Sequence, residues 1–206
     1  PIIGASPQLP TPEDPFILVT AGGGGDGEGL MEWVLRAYEY DPDLPYPALL
    51  VLGPFMAQEK QADFIERANA LDRVQVITFD TRIESLMAKA AGMVSMGGYN
   101  TFCEILSFDK RALIVPRTEP RLEQYIRARR AEELGMISML VDNGDRDPRE
   151  MAKSLRRLPS QPKPSEMFSS EILGGLNYVN RLAKRWLKTN RENRNAQELD
   201  RAHIAG

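Results

Sequence analysis

Three turns in this sequence carry residue types suited to holding a phosphorylated ligand. The first is AGGGGDG, in which Gly22, Gly23, Gly24 and Gly25 follow the apolar run Phe16–Thr20. Backbone bare of side chains at a strand-to-helix turn lets amides approach an oxyanion. The second is GGYNTFCE, where Gly97 and Gly98 precede a helical run. Asn100 or Thr101 can cap that run, and Glu104 follows at the spacing T-x-x-E of a capping box. The same Glu104 could instead accept two hydrogen bonds from a ribose diol, with Gly97, Gly98 and the helix amides as an anion site. The third turn leaves Pro116 through Arg117 and Arg121 and enters a helix at Gln124. Its arginines could neutralise a diphosphate, and its amide could reach a sugar hydroxyl in the crevice that Glu104 faces.

Several familiar chemistries are disfavoured. Gly22, Gly24 and Gly27 match G-x-G-x-x-G, but the next strand, PALLVLGPF, ends in Gly53 and Pro54 with no ribose-binding acid. No Lys-Ser or Lys-Thr pair follows the glycines, so a P-loop is absent, and Asp26 and Glu28 oppose a bare triphosphate. The one histidine, His203, stands in a polar tail, so the body of the domain offers no Ser-His or Cys-His dyad and no His-rich zinc site. The isolated Asp41-x-Asp43 pair reads as a turn, and no metal site is expected. Cys103 is the lone cysteine, which fits a reducing, cytoplasmic setting.

The 206 residues are 42% hydrophobic and 27% charged, with a net charge of −3, which points to a globular domain and not to nucleic acid. No apolar run approaches the roughly 20 residues of a membrane span. Short apolar runs at Phe16–Thr20, Ala48–Leu52, Val74–Thr78, Gly92–Ser95, Ala112–Pro116 and Ser138–Val141 alternate with helical segments. Those helices are expected at Leu30–Tyr40, Gln58–Ala70, Arg82–Ala90, Thr101–Phe108, Gln124–Leu134 and Pro148–Leu158, the last capped by Asp147. Such alternation predicts an α/β, doubly wound, Rossmann-like six-stranded parallel sheet with helices on both faces. Ligands then bind at the carboxyl ends of the strands, where strand order reverses.

Residues 1–15 read as a linker or the cut end of a longer protein, and 16–160 as the Rossmann-like domain. Residues 161–190 read as a final helix packing on it, and 191–206 as a flexible tail. The basic cluster Arg181, Lys184, Arg185 and Lys188 reads first as a solvated helix face, with contact to a membrane surface or a partner as the alternative.

Taken together, AGGGGDG, TFDTRIESLMAKA (Thr78–Ala90), MGGYNTFCEIL (Met96–Leu106) and VPRTEPRLEQYIRA (Val115–Ala128) resemble the C-terminal, donor-binding domain of GT-B glycosyltransferases of family 28. That group includes the peptidoglycan N-acetylglucosaminyltransferase. The resemblance implies a nucleoside-diphosphate sugar as substrate, most often UDP-linked, and no metal or other cofactor. It also implies that Gly22–Gly25 flank an interdomain cleft, that backbone groups of Thr78–Asp80 meet the base and that Phe79 lies beside it. Gly98–Thr101 would give amides to the diphosphate, Glu104 would hold the ribose hydroxyls, and Gln124 would contact the sugar. An acceptor-binding N-terminal domain carrying the catalytic base is expected elsewhere in the protein, so this half alone should bind donor without turnover. The expected location is the cytoplasm, with the inner face of the membrane as a place of peripheral contact. The same architecture serves UDP-sugar epimerases and nucleotide-sugar hydrolases, and a non-catalytic interaction domain is the remaining alternative.

Overall fold

A computed structural model of the chain describes residues 15–21, 26–79, 83–167 and 180–186. Six strands form one parallel sheet: β1 (Ile17–Thr20), β2 (Ala48–Val51), β3 (Val74–Ile77), β4 (Gly92–Ser95), β5 (Ala112–Ile114) and β6 (Ser138–Met139). Their order is β3-β2-β1-β4-β5-β6, so the sheet is doubly wound with its switch point between β1 and β4. Every residue of β1, β2, β4 and β5 is buried, which is why these strands read as unbroken apolar runs and not as alternating ones. The central register sets Ile17 beside Gly92 and Thr20 beside Ser95.

The helices are α1 (Glu28–Tyr40), α2 (Gln58–Asn69), α3 (Ile83–Lys89), α4 (Tyr99–Ser107), α5 (Glu123–Glu133), α6 (Pro148–Arg157) and the short α7 (Pro164–Met167). The β5 and β6 strands are shorter than their apolar runs. Pro116 has no N–H to continue a ladder, and Val141 lies outside β6 and is exposed.

Helix α1 holds the structure around the first turn. Leu30, Met31, Trp33, Val34, Leu35, Ala37 and Tyr38 are all buried along it. Trp33 is fully buried, and its indole N–H donates to the carbonyl of Asp147 at 2.8 Å, tying α1 to the start of α6. At the other end Asp41 receives both Nε (2.8 Å) and Nη2 (2.7 Å) of Arg156 from α6. The Asp41-x-Asp43 pair is therefore a turn, with the Asp43 amide donating to Asp41, and a strut to α6. Arg67 of α2 reaches Glu32 (2.6 Å) and Glu39 (2.9 Å) of α1, which fixes the opposite flank.

The chain divides into two compact units with a boundary after Met167. Of the final helix expected over 161–190, residues 180–186 are helical and 168–179 and 187–190 fall outside the described residues, as do the expected linker up to residue 14 and the tail after 190.

Replacing Trp33 with Ala should leave a large cavity and an unsatisfied carbonyl, costing about 3–5 kcal/mol in a urea titration. Asp147 caps α6, accepting from the Arg149 amide at 2.9 Å. The Arg149 side chain first, and then that amide, hold its carboxyl below the ordinary carboxylate range. A lowered folded-state pKa stabilises above the unfolded value and is lost as pH falls through the folded one. The gap in melting temperature between wild type and Asp147→Ala should thus be full at neutral pH and close as pH drops below about 4.

Candidate functional site

The turns leaving β4 and β5 open at the carboxyl ends of the strands, beside the switch point. The turn from β4 to α4 is built most tightly. Gly97 adopts φ +70°, and a Cβ there would lie 2.7 Å from Cγ2 of Ile114, a side chain with no exposure of its own. Its amide donates to Ser95 Oγ at 3.2 Å, and its carbonyl accepts from Arg127 Nη1 at 2.8 Å. The Arg127 guanidinium also stands 5.5 Å from the Tyr99 ring centroid and 6.0 Å from that of Phe102. Arg127 is thus a positioning residue that the sequence reading missed. Its signal was faint: one arginine among several in RARR, one turn after Gln124.

Helix α4 begins two residues before the expected start at Thr101. Gly98 is its N-cap, and no side chain among the described residues caps it. The expected capping by Asn100 or Thr101 is therefore corrected, because both lie inside the first turn. Glu104 is correspondingly too far along for a capping box. The left-handed bend at Gly97 turns the chain early enough for helix geometry to start at Tyr99. The first intrahelical bond runs from the Phe102 amide to the Gly98 carbonyl at 2.8 Å. The amides of Tyr99, Asn100 and Thr101 therefore have no intrahelical partner and carry the positive end of the helix dipole.

Two cavities flank this turn. The first, of about 290 Å³, is lined by Thr20 and Val51 at strand ends and by Gly53, Pro54, Phe79, Ile83 and Met87. Asn100, Thr101 and Glu104 of α4 complete it. Phe79 is half exposed over this space. The Thr78 carbonyl already accepts from the Gly53 amide, which has φ +91°, at 2.9 Å. The carboxylate of Glu104 has neither a hydrogen bond nor an ion pair among the described residues. The second cavity, of about 240 Å³, lies beyond the turn and is lined by Asp26, Gly29, Met96, Arg117, Asp142 and Arg146, among others.

The remaining expected residues are placed as follows. Arg117 lines the second cavity and is paired with Asp26 at 2.5 Å. Gln124 does not join Glu104. Its Oε1 accepts from the Arg117 amide at 3.1 Å, so it braces the loop after β5, and it lines neither cavity. The helix after that loop starts at Glu123, so Gln124 lies in its first turn with its side-chain amide oxygen taken up by the loop. The loop also contains a cis Glu119–Pro120 bond. Arg121 is exposed. Gly22–Gly25 and Asp80 lie outside the described residues. Among the described residues no group of three or more His, Cys, Asp or Glu is placed to hold a metal ion.

A family model for the glycosyltransferase family 28 C-terminal domain matches residues 16–185. The chain belongs to this family. The family 28 domain has the architecture of a GT-B C-terminal half, and its fold is found in solved glycosyltransferases. It is similar to the calicheamicin glycosyltransferase CalG4 at 19% identity and a TM-score of 0.59, over 78% of this chain and 37% of that one. Glycosyltransferase VinC, solved with dTDP, gives 22% identity and a TM-score of 0.57, over 77% of this chain and 36% of VinC. MurG of Acinetobacter baumannii gives 16% identity and a TM-score of 0.52, over 76% and 48%. At these identities the likeness is one of fold. The chain spans little more than a third of the first two of these proteins. No curated protein matches the sequence.

The Gly97 geometry makes a direct prediction for this family 28 domain. Gly97→Ala must place a Cβ against the buried Ile114 and hold a positive φ, a combined cost of about 1–3 kcal/mol. Thermal denaturation should show the loss, and the amide signals of Tyr99–Thr101 should shift with it.

Proposed function

We propose that this domain binds the donor of a glycosyltransferase, a nucleoside-diphosphate hexose with uridine as the base. The observation that carries the reading is Glu104: a carboxylate without a partner among the described residues, in a cavity at the switch point, one turn beyond open helix amides. In this reading the nucleoside enters the first cavity. Its base lies against the apolar wall of Phe79, Ile83 and Met87, and its ribose hydroxyls donate to Glu104. The diphosphate sits at the amides of Tyr99–Thr101, where the dipole favours negative charge.

Transfer needs an acceptor hydroxyl to lose its proton to a base and attack the anomeric carbon. The bond from that carbon to the diphosphate oxygen breaks, and the electron pair leaves on the phosphate. The domain's part is to meet that growing charge with fixed dipoles and with Arg117 and Arg121, a role that asks for no metal ion. Acceptor and base belong to a second domain, so this half alone binds donor without turning it over. We place the reaction in the cytoplasm. No helix among the described residues is long and apolar enough to cross a membrane. Contact of the protein with the membrane's inner face is the related proposal for the basic stretch at 181–188.

The test is a titration of the 206-residue chain with UDP, dUDP, dTDP, GDP and ATP, followed by amide shifts and calorimetry. UDP should bind more tightly than dUDP, because the deoxy sugar gives Glu104 one hydroxyl fewer. Glu104→Ala should weaken UDP by about tenfold or more and erase that preference. It should leave the melting temperature nearly unchanged, since the side chain supports no other group. UDP binding untouched by Glu104→Ala would sink the ribose assignment. A response to none of the nucleotides would sink the donor reading.

A further inference from the structure

The second cavity holds an ion pair whose acidic member, Asp26, the donor reading leaves unexplained. Asp26 follows the glycine loop of β1, and Arg117 follows β5, far away in sequence. Their side chains meet across the switch-point crevice at 2.5 Å, and both line the cavity. Neither is lost to solvent: the side chains are 33% and 39% exposed for Arg117 and Asp26. The Arg117 backbone is pinned from behind by Gln124. Its guanidinium is not fully satisfied, because Nε is buried and has no hydrogen-bond partner among the described residues. A buried, unsatisfied charged donor costs free energy and is met by any acceptor that reaches it.

The rest of the cavity is also preset for an anion. Arg146 sits against Gly29 in the first turn of α1, where a Cβ would come within 2.5 Å of its Nη2. That arginine is held by Asp142 through an Nε contact of 2.8 Å. So two arginines stand at the start of a 13-residue helix, each neutralised by a carboxylate of the chain itself. Of the two, only the Arg117 pair joins separate strand ends, and only Arg117 carries a buried donor left open.

We propose that Asp26 is a resident stand-in for a phosphoryl oxyanion, and that the second cavity takes the terminal phosphate of the donor by exchange. Arg117 turns from the Asp26 carboxylate to the phosphate, and its Nε gains the acceptor it lacks. Asp26 therefore works as a specificity residue: it sets the affinity threshold that an anion must pass. A weakly bound or singly charged anion does not displace it, whereas a diphosphate that is already held at α4 does. No covalent bond is made or broken in the exchange: Arg117 keeps its charge and trades one anionic acceptor for another, and the released Asp26 carboxylate, 39% exposed already, turns to solvent. This proposal rests on the donor reading of the first cavity.

The test uses inorganic pyrophosphate and UDP as separate probes on the 206-residue chain, by calorimetry at fixed ionic strength. Asp26→Asn keeps the shape and removes the competing charge. It should tighten pyrophosphate by about fivefold, the scale of one partly exposed ion pair. In an Arg117→Gln background the same change should have no such effect, because there is no longer an arginine to release. A purely structural pair would instead lose stability in Asp26→Asn and leave pyrophosphate affinity as it was, and that result overturns the proposal. An equal gain with and without Arg117 overturns it too, since it would report only a change in general field. The two readings fail separately: uridine nucleotides with Glu104→Ala test the nucleoside pocket, while the change in pyrophosphate affinity on Asp26→Asn, with and without Arg117, tests the exchange.

Discussion

The pairing of β1 with β4 is the constraint on which the site depends. Both strands are buried along their whole length and lie in register at the centre of the sheet. From that centre the chain builds outward in two directions, to β2 and β3 on one side and to β5 and β6 on the other. Right-handed crossovers send the two sets of helices to opposite faces, so a crevice opens at the carboxyl ends of β1 and β4. Backbone that is fully committed to ladders cannot fill this crevice. What fills it is left to the turns, and those are the parts of the sequence richest in glycine.

The two cavities on either side of the β4–α4 turn differ in their electrostatics, and the difference is instructive. One is walled by Phe79, Ile83 and Met87 and offers a single carboxylate with open lone pairs. The other gathers arginines, each already engaged by a carboxylate of the same chain. An apolar wall beside one carboxylate and a few neutral polar groups suits a flat base joined to a diol. A set of arginines at a helix start suits an oxyanion. The turn between them contributes amides to neither ladder nor cap, which leaves the positive end of the helix dipole open between the two spaces.

That turn owes its precision to contacts from several elements. Ser95 takes the Gly97 amide, Arg127 takes the carbonyl, and Ile114 fills the space a side chain would need. Gln124 braces the neighbouring loop by accepting from Arg117. Groups held this way lose little freedom when a ligand arrives, which is how a site of modest size gains affinity. The struts farther back, Trp33 to Asp147 and Asp41 to Arg156, hold α1 and with it the position from which Asp26 meets Arg117.

Much of this was legible in the residues. The apolar runs located all six strands, because a strand covered on both faces has no polar positions to disguise it. Asp147 before Pro148 marked the start of α6 correctly, since capping depends on neighbours in sequence. The motif order carried the family, and with it the expectation that Glu104 matters. The start of α4 was misplaced because a left-handed glycine and a cap without a side chain leave no local signature. The roles of Gln124, Arg127 and Asp26 were out of reach for a different reason. Each acts on a partner from another strand end, and a side chain's choice between solvent, backbone and a distant charge is made only when those ends come together. Sequence by itself determined the alternation, the sheet and the chemistry of each turn, all of which follow from residues close in the chain. Tertiary structure decided which carboxylate stays open and which is already paired, because burial and distance, not residue type, set that balance.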